Sequence, residues 1–344
     1  DDEGENGTTG FATVTFEEIS VENFSNVVLS FDWEVIEYNA NADDAKYEII
    51  VDGVSNGEVF LVDGGVDPED GSGTVTYSVP AATSTISLLI SVRNNGATGY
   101  SAFDNFQIEG DYDGDLVYSG GSWSPSAPNA STGTNDVLVQ DGTYTTSSNI
   151  TVNSISVLGD ASVNISSSDI LTVNSGIYND GNLTFKSDAS GSAQLADATG
   201  VTITGDITAE RFIPKRSDEA RAFRFLASPV GNVNIADAWQ QDTHITGASG
   251  TVGQTSSDGF DETLSGAPSM FTFDHSIQDQ VTTSAWTPIA STTQDIVAGQ
   301  PYRLFVRGDR GVSLSDNGAN ANDVTLSATG TLHTGNHSVT TSDF

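Results

Sequence analysis

The tetrapeptide Thr-Val-Asn-Ser stands at Thr151 to Ser154 and again at Thr172 to Ser175, 21 residues later. Around it run apolar pairs spaced two apart: Val137 and Val139, Ile150 and Val152, Ile155 and Val157, Val163 and Ile165, Leu171 and Val173, Leu183 and Phe185, Val201 and Ile203. Residues two apart share a face in an extended chain, so each pair marks a short strand with one buried side. Such a strand cannot bury that side alone. Coiled so that each strand stacks on the next, they share one core, and Asn, Asp and Gly take the corners. Residues 113–213 therefore read as a short β-solenoid or roll.

The flanking regions alternate in the same way without the repeat. Upstream, Leu29, Phe31, Trp33 and Val35 share one face of a strand, and Tyr47, Ile49 and Val51 lead into the turn pair Asp52-Gly53. Further runs at 75–79, 86–92 and 103–108 are bounded by Gly, Pro, Asn or Asp. This spacing predicts a β-sandwich, in jelly-roll form, over 1–112. Downstream, strands at 270–273, 302–306 and 324–326 predict a β-sandwich-like domain over 214–344, incomplete at Phe344, with one short helix over Asn234 to Gln241. The expected fold class is all-β in three domains. Little else suits a chain only 17% charged whose polarity comes from Ser, Thr, Asn and Gly.

Charge narrows the partners. Against 47 Asp and Glu stand 11 Lys and Arg, a formal net charge of -36, so nucleic acid and anionic lipid are poor partners and divalent cations the natural counter-charge. Residues 1–115 hold 24 of the acids with only Lys46 and Arg93, whereas eight of the 11 basic residues lie between Arg211 and Arg310. There is no cysteine, which excludes disulfides, thiolate metal sites and a Cys nucleophile. No apolar run approaches the ~20 residues that span a bilayer, so a membrane-spanning chain is not expected. With no signal peptide before Asp1, an exported chain would be a mature form or a fragment.

Asp111-Tyr112-Asp113-Gly114-Asp115 alternates three carboxylates along a Gly-containing loop, a spacing of hard oxygen ligands that suits Ca²⁺. It lacks the later bidentate Glu of an EF-hand, and a solvated acidic linker is the alternative. Asp104 shares its predicted strand face with Ala102, Phe106 and Ile108, which should be buried. A buried carboxylate needs a metal, a cation such as Arg93 or a hydrogen bond. Tyr38 and Tyr100 are the candidate exposed aromatics for glycan contact; Trp33 reads as core and Trp123 as packing over the solenoid end. The cluster Arg211, Lys215, Arg216, Arg221 and Arg224 could attract an anion or pair internally. His333 and His337 are spaced for zinc on a helix, but their Thr-Gly-Asn surroundings read as strand and turn. No nucleophile elbow, zinc-protease helix, P-loop or dinucleotide fingerprint is present.

The stretch Trp123 to Val139, then Gly142-Thr143-Tyr144, Asn149-Ile150-Thr151-Val152 and Gly181-Asn182-Leu183-Thr184-Phe185, resembles a module of large secreted surface proteins of Bacteroidota. The motifs Glu210-Arg211-Phe212-Ile213-Pro214 and Arg221 to Val230 follow as they do in that family. The resemblance covers 115–344. It implies a type IX-secreted, extracellular surface protein with a sorting domain beyond Phe344. The N-terminal region looks like the accessory jelly rolls of such proteins, some of which bind glycans. Three readings follow: a non-catalytic structural or adhesive segment, Ca²⁺-stabilised, that meets a glycan or a neighbouring surface protein; accessory domains of a secreted hydrolase; or a self-assembling filament or sheath subunit.

Overall fold

The computed structural model describes residues 10–94, 99–251, 258–274, 277 and 285–335, and the chain divides into two compact units, Asp1–Gly114 and Asp115–Phe344. The first contains β1 (Ala12–Thr15), β2 (Ile19–Ser20), β3 (Phe24–Ile36), β4 (Asp44–Val51), β5 (Val54–Asp63), β6 (Gly71–Ser78), β7 (Thr85–Arg93) and β8 (Tyr100–Tyr112). They form two antiparallel sheets, one ordered β1-β7-β4-β5 with β2 also on β7, the other β6-β3-β8. The chain passes between the sheets at every connection except β1 to β2 and the β4–β5 hairpin, the path of a jelly roll. The expected inward residues Leu29, Phe31 and Val75 meet Ile49, Ile86, Leu88 and Ile90 of the opposite sheet in one core. The β-sandwich expected here is present.

The second unit opens with β9 (Leu116–Ser119) and β10 (Ser122–Ser124), an antiparallel hairpin. The solenoid follows: β11 (Asp136–Val139), β12 (Gly142–Thr145), β13 (Ile150–Val157), β14 (Ala161–Ile165), β15 (Ile170–Asn179) and β16 (Asn182–Phe185). After the small pair β17 (Ser187–Asp188) and β18 (Gly191–Ser192) come β19 (Gln194–Leu195), β20 (Thr202–Thr204) and β21 (Ile207–Ile213). One parallel sheet stacks β9, β11, β13 and β15, with β19 and β20 on β15; the other stacks β12, β14, β16 and β21. The repeated tetrapeptide is literal stacking: Thr151 pairs with Thr172 and Val152 with Val173, until a bulge shifts the register at Ser154. Its apolar pairs form a dry core in which Val152, Ile155, Val157, Val163, Leu171 and Leu183 are almost wholly buried. Asn side chains satisfy corner backbone as expected: Asn149 accepts from the Ile170 amide (2.9 Å) and Asn174 donates to the Gly133 carbonyl (2.6 Å).

The remainder comprises β22 (Ala222–Leu226), β23 (Val230–Gly231), α1 (Trp239–Asp242), β24 (Thr246–Thr251), β25 (Asp261–Thr263), β26 (Met270–Phe273), β27 (Trp286–Pro288), β28 (Tyr302–Val306) and β29 (Val324–Leu332). The helix expected over Asn234 to Gln241 is shorter and later. Asn234 instead accepts from the Asp237 amide at 2.8 Å, and turns occupy the segment up to Ala238.

The expected boundary at 213/214 is not a boundary in the structure. β29 pairs antiparallel with β21 along Ile207 to Ile213 and carries β23 on its other edge. A single buried cluster runs from Leu116 through the solenoid to Ile235, Trp239, Tyr302, Leu304 and Ala328. The antiparallel sheet β22-β28-β26-β27 lays its inner face, Met270, Tyr302, Leu304 and Val306, on that same core. A parallel stack leaves an open edge at its last coil, and the downstream chain closes it.

Candidate functional site

Asp104 is exposed, not buried. At Asn105, where φ is +53°, β8 bulges. Asp104 pairs with Asp32 and Gln107 with Ser30, so Asn105 and Phe106 together oppose Phe31 alone. One extra residue flips the parity of everything beyond it. Phe106 therefore stacks on Phe31 (ring centroids 5.6 Å apart), while Asp104 points to solvent and accepts from the Asn105 amide (2.7 Å).

The acidic loop is also differently built. Tyr112 still belongs to β8, where Asp111 accepts from Asn26 (2.9 Å), and Asp113 accepts from Ser25 (3.0 Å). Asp115 opens the second unit and caps the Asp136 amide at 3.0 Å. Each carboxylate thus serves local structure. Among the described residues no group of three or more His, Cys, Asp or Glu side chains is arranged to hold a metal ion.

Tyr38 is 1% exposed and packs with Val35, Ala45 and Val62, so it is a core residue and not an open sugar platform. The turn after β3 folds it back under the sheet edge, where Asp70 accepts from its amide at 3.0 Å. Tyr100 is 47% exposed at the start of β8. Trp123 packs on Tyr118 and edge-on to Tyr144 at 4.8 Å, over the first solenoid coil. Of the basic cluster, Lys215 pairs with Glu219 (2.6 Å) and Arg216 with Asp218 (2.8 Å). Exposed His333 follows the last strand residue, Leu332, and His337 lies outside the described residues.

The most distinctive surface was not anticipated. On the outer face of β22-β28-β26-β27 stand Phe223 and Phe225, Arg303 and Phe305, Phe271 and Phe273, and Trp286. Phe225 is 70% and Phe223 42% exposed. The rings touch in a network, Phe223 to Phe305 at 5.0 Å, Phe223 to Phe271 at 6.0 Å, Phe273 to Trp286 at 4.8 Å and Phe225 to Trp286 at 5.6 Å. The Arg303 guanidinium sits among Phe223, Phe271 and Trp286, 4.5 to 4.6 Å from each ring, and its Nε has no hydrogen-bond partner. Burial lowers its pKa. The signal was legible in part: Ala222-Phe223-Arg224-Phe225-Leu226 and Met270-Phe271-Thr272-Phe273 are apolar in both phases of the alternation, so both faces of these strands have apolar work.

Beside this sheet, Asp261 takes two hydrogen bonds from Arg310 (2.8 and 3.1 Å) and one from the Ile245 amide (2.9 Å), with His244 3.4 Å away. Burial alone would raise its pKa. The nearby His244 ring, together with the bonds from Arg310 and the Ile245 amide, outweighs burial and holds it at about 2.

No protein-family model matches the chain, and no curated protein matches it. Among solved structures, a crystal structure of the Agl-KA catalytic domain shares 9% identity over 58% of this chain, with a TM-score of 0.17. The chain spans 44% of that domain's length. So loose a likeness assigns neither fold nor activity.

Proposed function

We propose that the chain is a non-catalytic adhesive segment of an extracellular surface protein and that it takes carbohydrate on the aromatic face of β22-β28-β26-β27. One observation carries this reading: Phe225, largely exposed, and Phe223, about half exposed, stand within a contiguous set of rings on one sheet face. Exposed aromatic rings clustered on one face supply apolar surface for a ligand to cover. The size of the face favours a sugar chain over a protein. Strands about 4.8 Å apart with about 3.4 Å per residue make this four-stranded face roughly 14 by 17 Å. That is about 240 Å², well below the ~800 Å² each partner contributes to a stable protein complex, and enough for a few sugar rings stacked on aromatic faces. The solenoid, with its one continuous core, serves as the stiff support.

Affinity electrophoresis against a panel of neutral and acidic polysaccharides tests this. At least one polymer should retard the protein, and Phe225→Ala should weaken that binding about fivefold to tenfold, the ~1 kcal/mol of one stacked ring. Folding stability should stay within about 0.5 kcal/mol, because the ring is already exposed. A panel that binds nowhere, or that binds Phe225→Ala equally well, overturns the proposal. A concentration-dependent dimer abolished by the same substitution would assign the face to a second copy of the chain.

A further inference from the structure

Phe305 belongs to the aromatic face and also lines a neighbouring cavity of about 640 Å³, together with Arg221, Thr263, Ser265, Asn317 and Arg307. Arg307 is 8% exposed. Its Nη2 donates to Thr246 Oγ1 at 3.3 Å, its guanidinium lies 4.9 Å from the Phe305 ring centroid, and its Nη1 is buried without a hydrogen-bond partner. Among the described residues no carboxylate pairs with it. The acids in the cavity wall are already taken: Arg216 holds Asp218, and Lys215 and Asn320 hold Glu219. Arg221 adds a second guanidinium, whose Nε and Nη2 donate only to the carbonyls of Ala319, Ser313 and Asp316. Burial and the charge of Arg221 pull Arg307 down to about 10, partly offset by Asp261, so it stays charged at neutral pH.

A buried cation is normally paired or neutralised. In a chain with 47 acids to 11 Lys and Arg, carboxylates are abundant, yet Arg307 has none. We infer that the cavity at Arg307 and Arg221 receives an anionic substituent, carboxylate or sulfate ester, of a polysaccharide lying on the aromatic face. The inference rests on the carbohydrate reading of that face and adds the class of sugar, an acidic one. A planar guanidinium suits such oxyanions through paired N–H donors. Arg307 directly continues β28, so Arg303, Phe305 and Arg307 alternate along one side of the chain. The overall negative charge does not forbid the contact, since at physiological salt repulsion beyond about 8 Å is screened.

The test compares oligogalacturonate with its methyl ester, and dextran sulfate with dextran, by titration calorimetry at physiological salt. Wild type should bind an acidic member at least tenfold more tightly than its neutral counterpart, and whichever pair shows the preference identifies carboxylate or sulfate. In Arg307→Met the preference should vanish while affinity for the neutral polymer is kept; Arg307→Gln repeats the test should the Met variant not fold. Equal binding of acid and neutral forms by wild type overturns this inference and leaves the carbohydrate reading standing. If no polymer binds, the carbohydrate reading fails and the cavity is tested alone with galacturonate monomer and sulfate ion. A thermal upshift in wild type that Arg307→Met lacks supports the anion site, and no upshift overturns it.

Discussion

Replacing Asp261 by Asn removes the carboxylate that ties β25 to His244 and to Arg310, whose Nη1 also reaches the Gln240 carbonyl at 2.6 Å. The folded state holds this group at about 2, well below the ordinary carboxylate value near 3.8. At about 1.36 kcal/mol per pH unit, that depression is worth about 2 kcal/mol at neutral pH. This is an upper figure, because Arg310 is 41% exposed and its share is screened. A depressed carboxylate contributes its full stability above the unfolded pKa and loses it as pH falls through the folded one. Urea unfolding of wild type and Asp261→Asn should therefore differ by up to about 2 kcal/mol at pH 6 to 7, and the gap should close between about pH 4 and pH 2. Taking the difference cancels the general effect of protonating the other 46 acids. A gap that stays constant with pH, or no gap at neutral pH, would refute the assignment.

Gly205 has φ of +77°, and a Cβ there would lie 1.7 Å from the Asn179 carbonyl oxygen, whereas Gly200, at +82°, has nothing within 4 Å. Gly205→Ala should cost at least about 2 kcal/mol more than Gly200→Ala in denaturant midpoints, since only the first adds a backbone clash to the strain. Calorimetry should show two transitions and not three, because the solenoid and the strands after Pro214 share one core; separate melting of residues 115–213 would contradict this. If Ca²⁺ serves as counter-ion at Asp111 and Asp113, about 1 mM Ca²⁺ should raise the midpoint of the first unit by a few degrees, and Asp111→Asn should remove the rise. An unchanged midpoint on adding Ca²⁺ would dismiss that role.

The solenoid was legible because its signal is redundant: every coil repeats the inward pair, and the Thr-Val-Asn-Ser copies stack on each other. The sandwich core was legible at Leu29, Phe31 and Val35 for the same reason, alternation over a long strand. What failed was parity at single residues. Nothing in Phe103-Asp104-Asn105-Phe106 announces that Asn105 adopts a left-handed conformation, yet that one dihedral moves Asp104 from core to solvent. Tyr38 failed differently: it follows a strand end, where alternation gives no guidance and only the tertiary turn decides burial. The aromatic face needed four strands brought side by side from residues 222 to 306, a placement that local pattern does not contain.

Strand edges bear on the filament reading. End-to-end growth of a β-solenoid needs open parallel edges at both ends of the stack. At one end β10 lies antiparallel on β9, and Trp123 covers Tyr118 and Tyr144. At the other, β29 occupies the edge of β21 in the antiparallel sense, and displacing it would expose Leu326 and Ala328, which are 1% and 2% exposed. The remaining edge strands of the stack are β12, short and mostly exposed, and the interrupted pair β19 and β20, of two and three residues. Short and broken edges pair poorly. Capped at some edges and left with only short or broken strands at the others, the stack is poorly built for end-to-end growth.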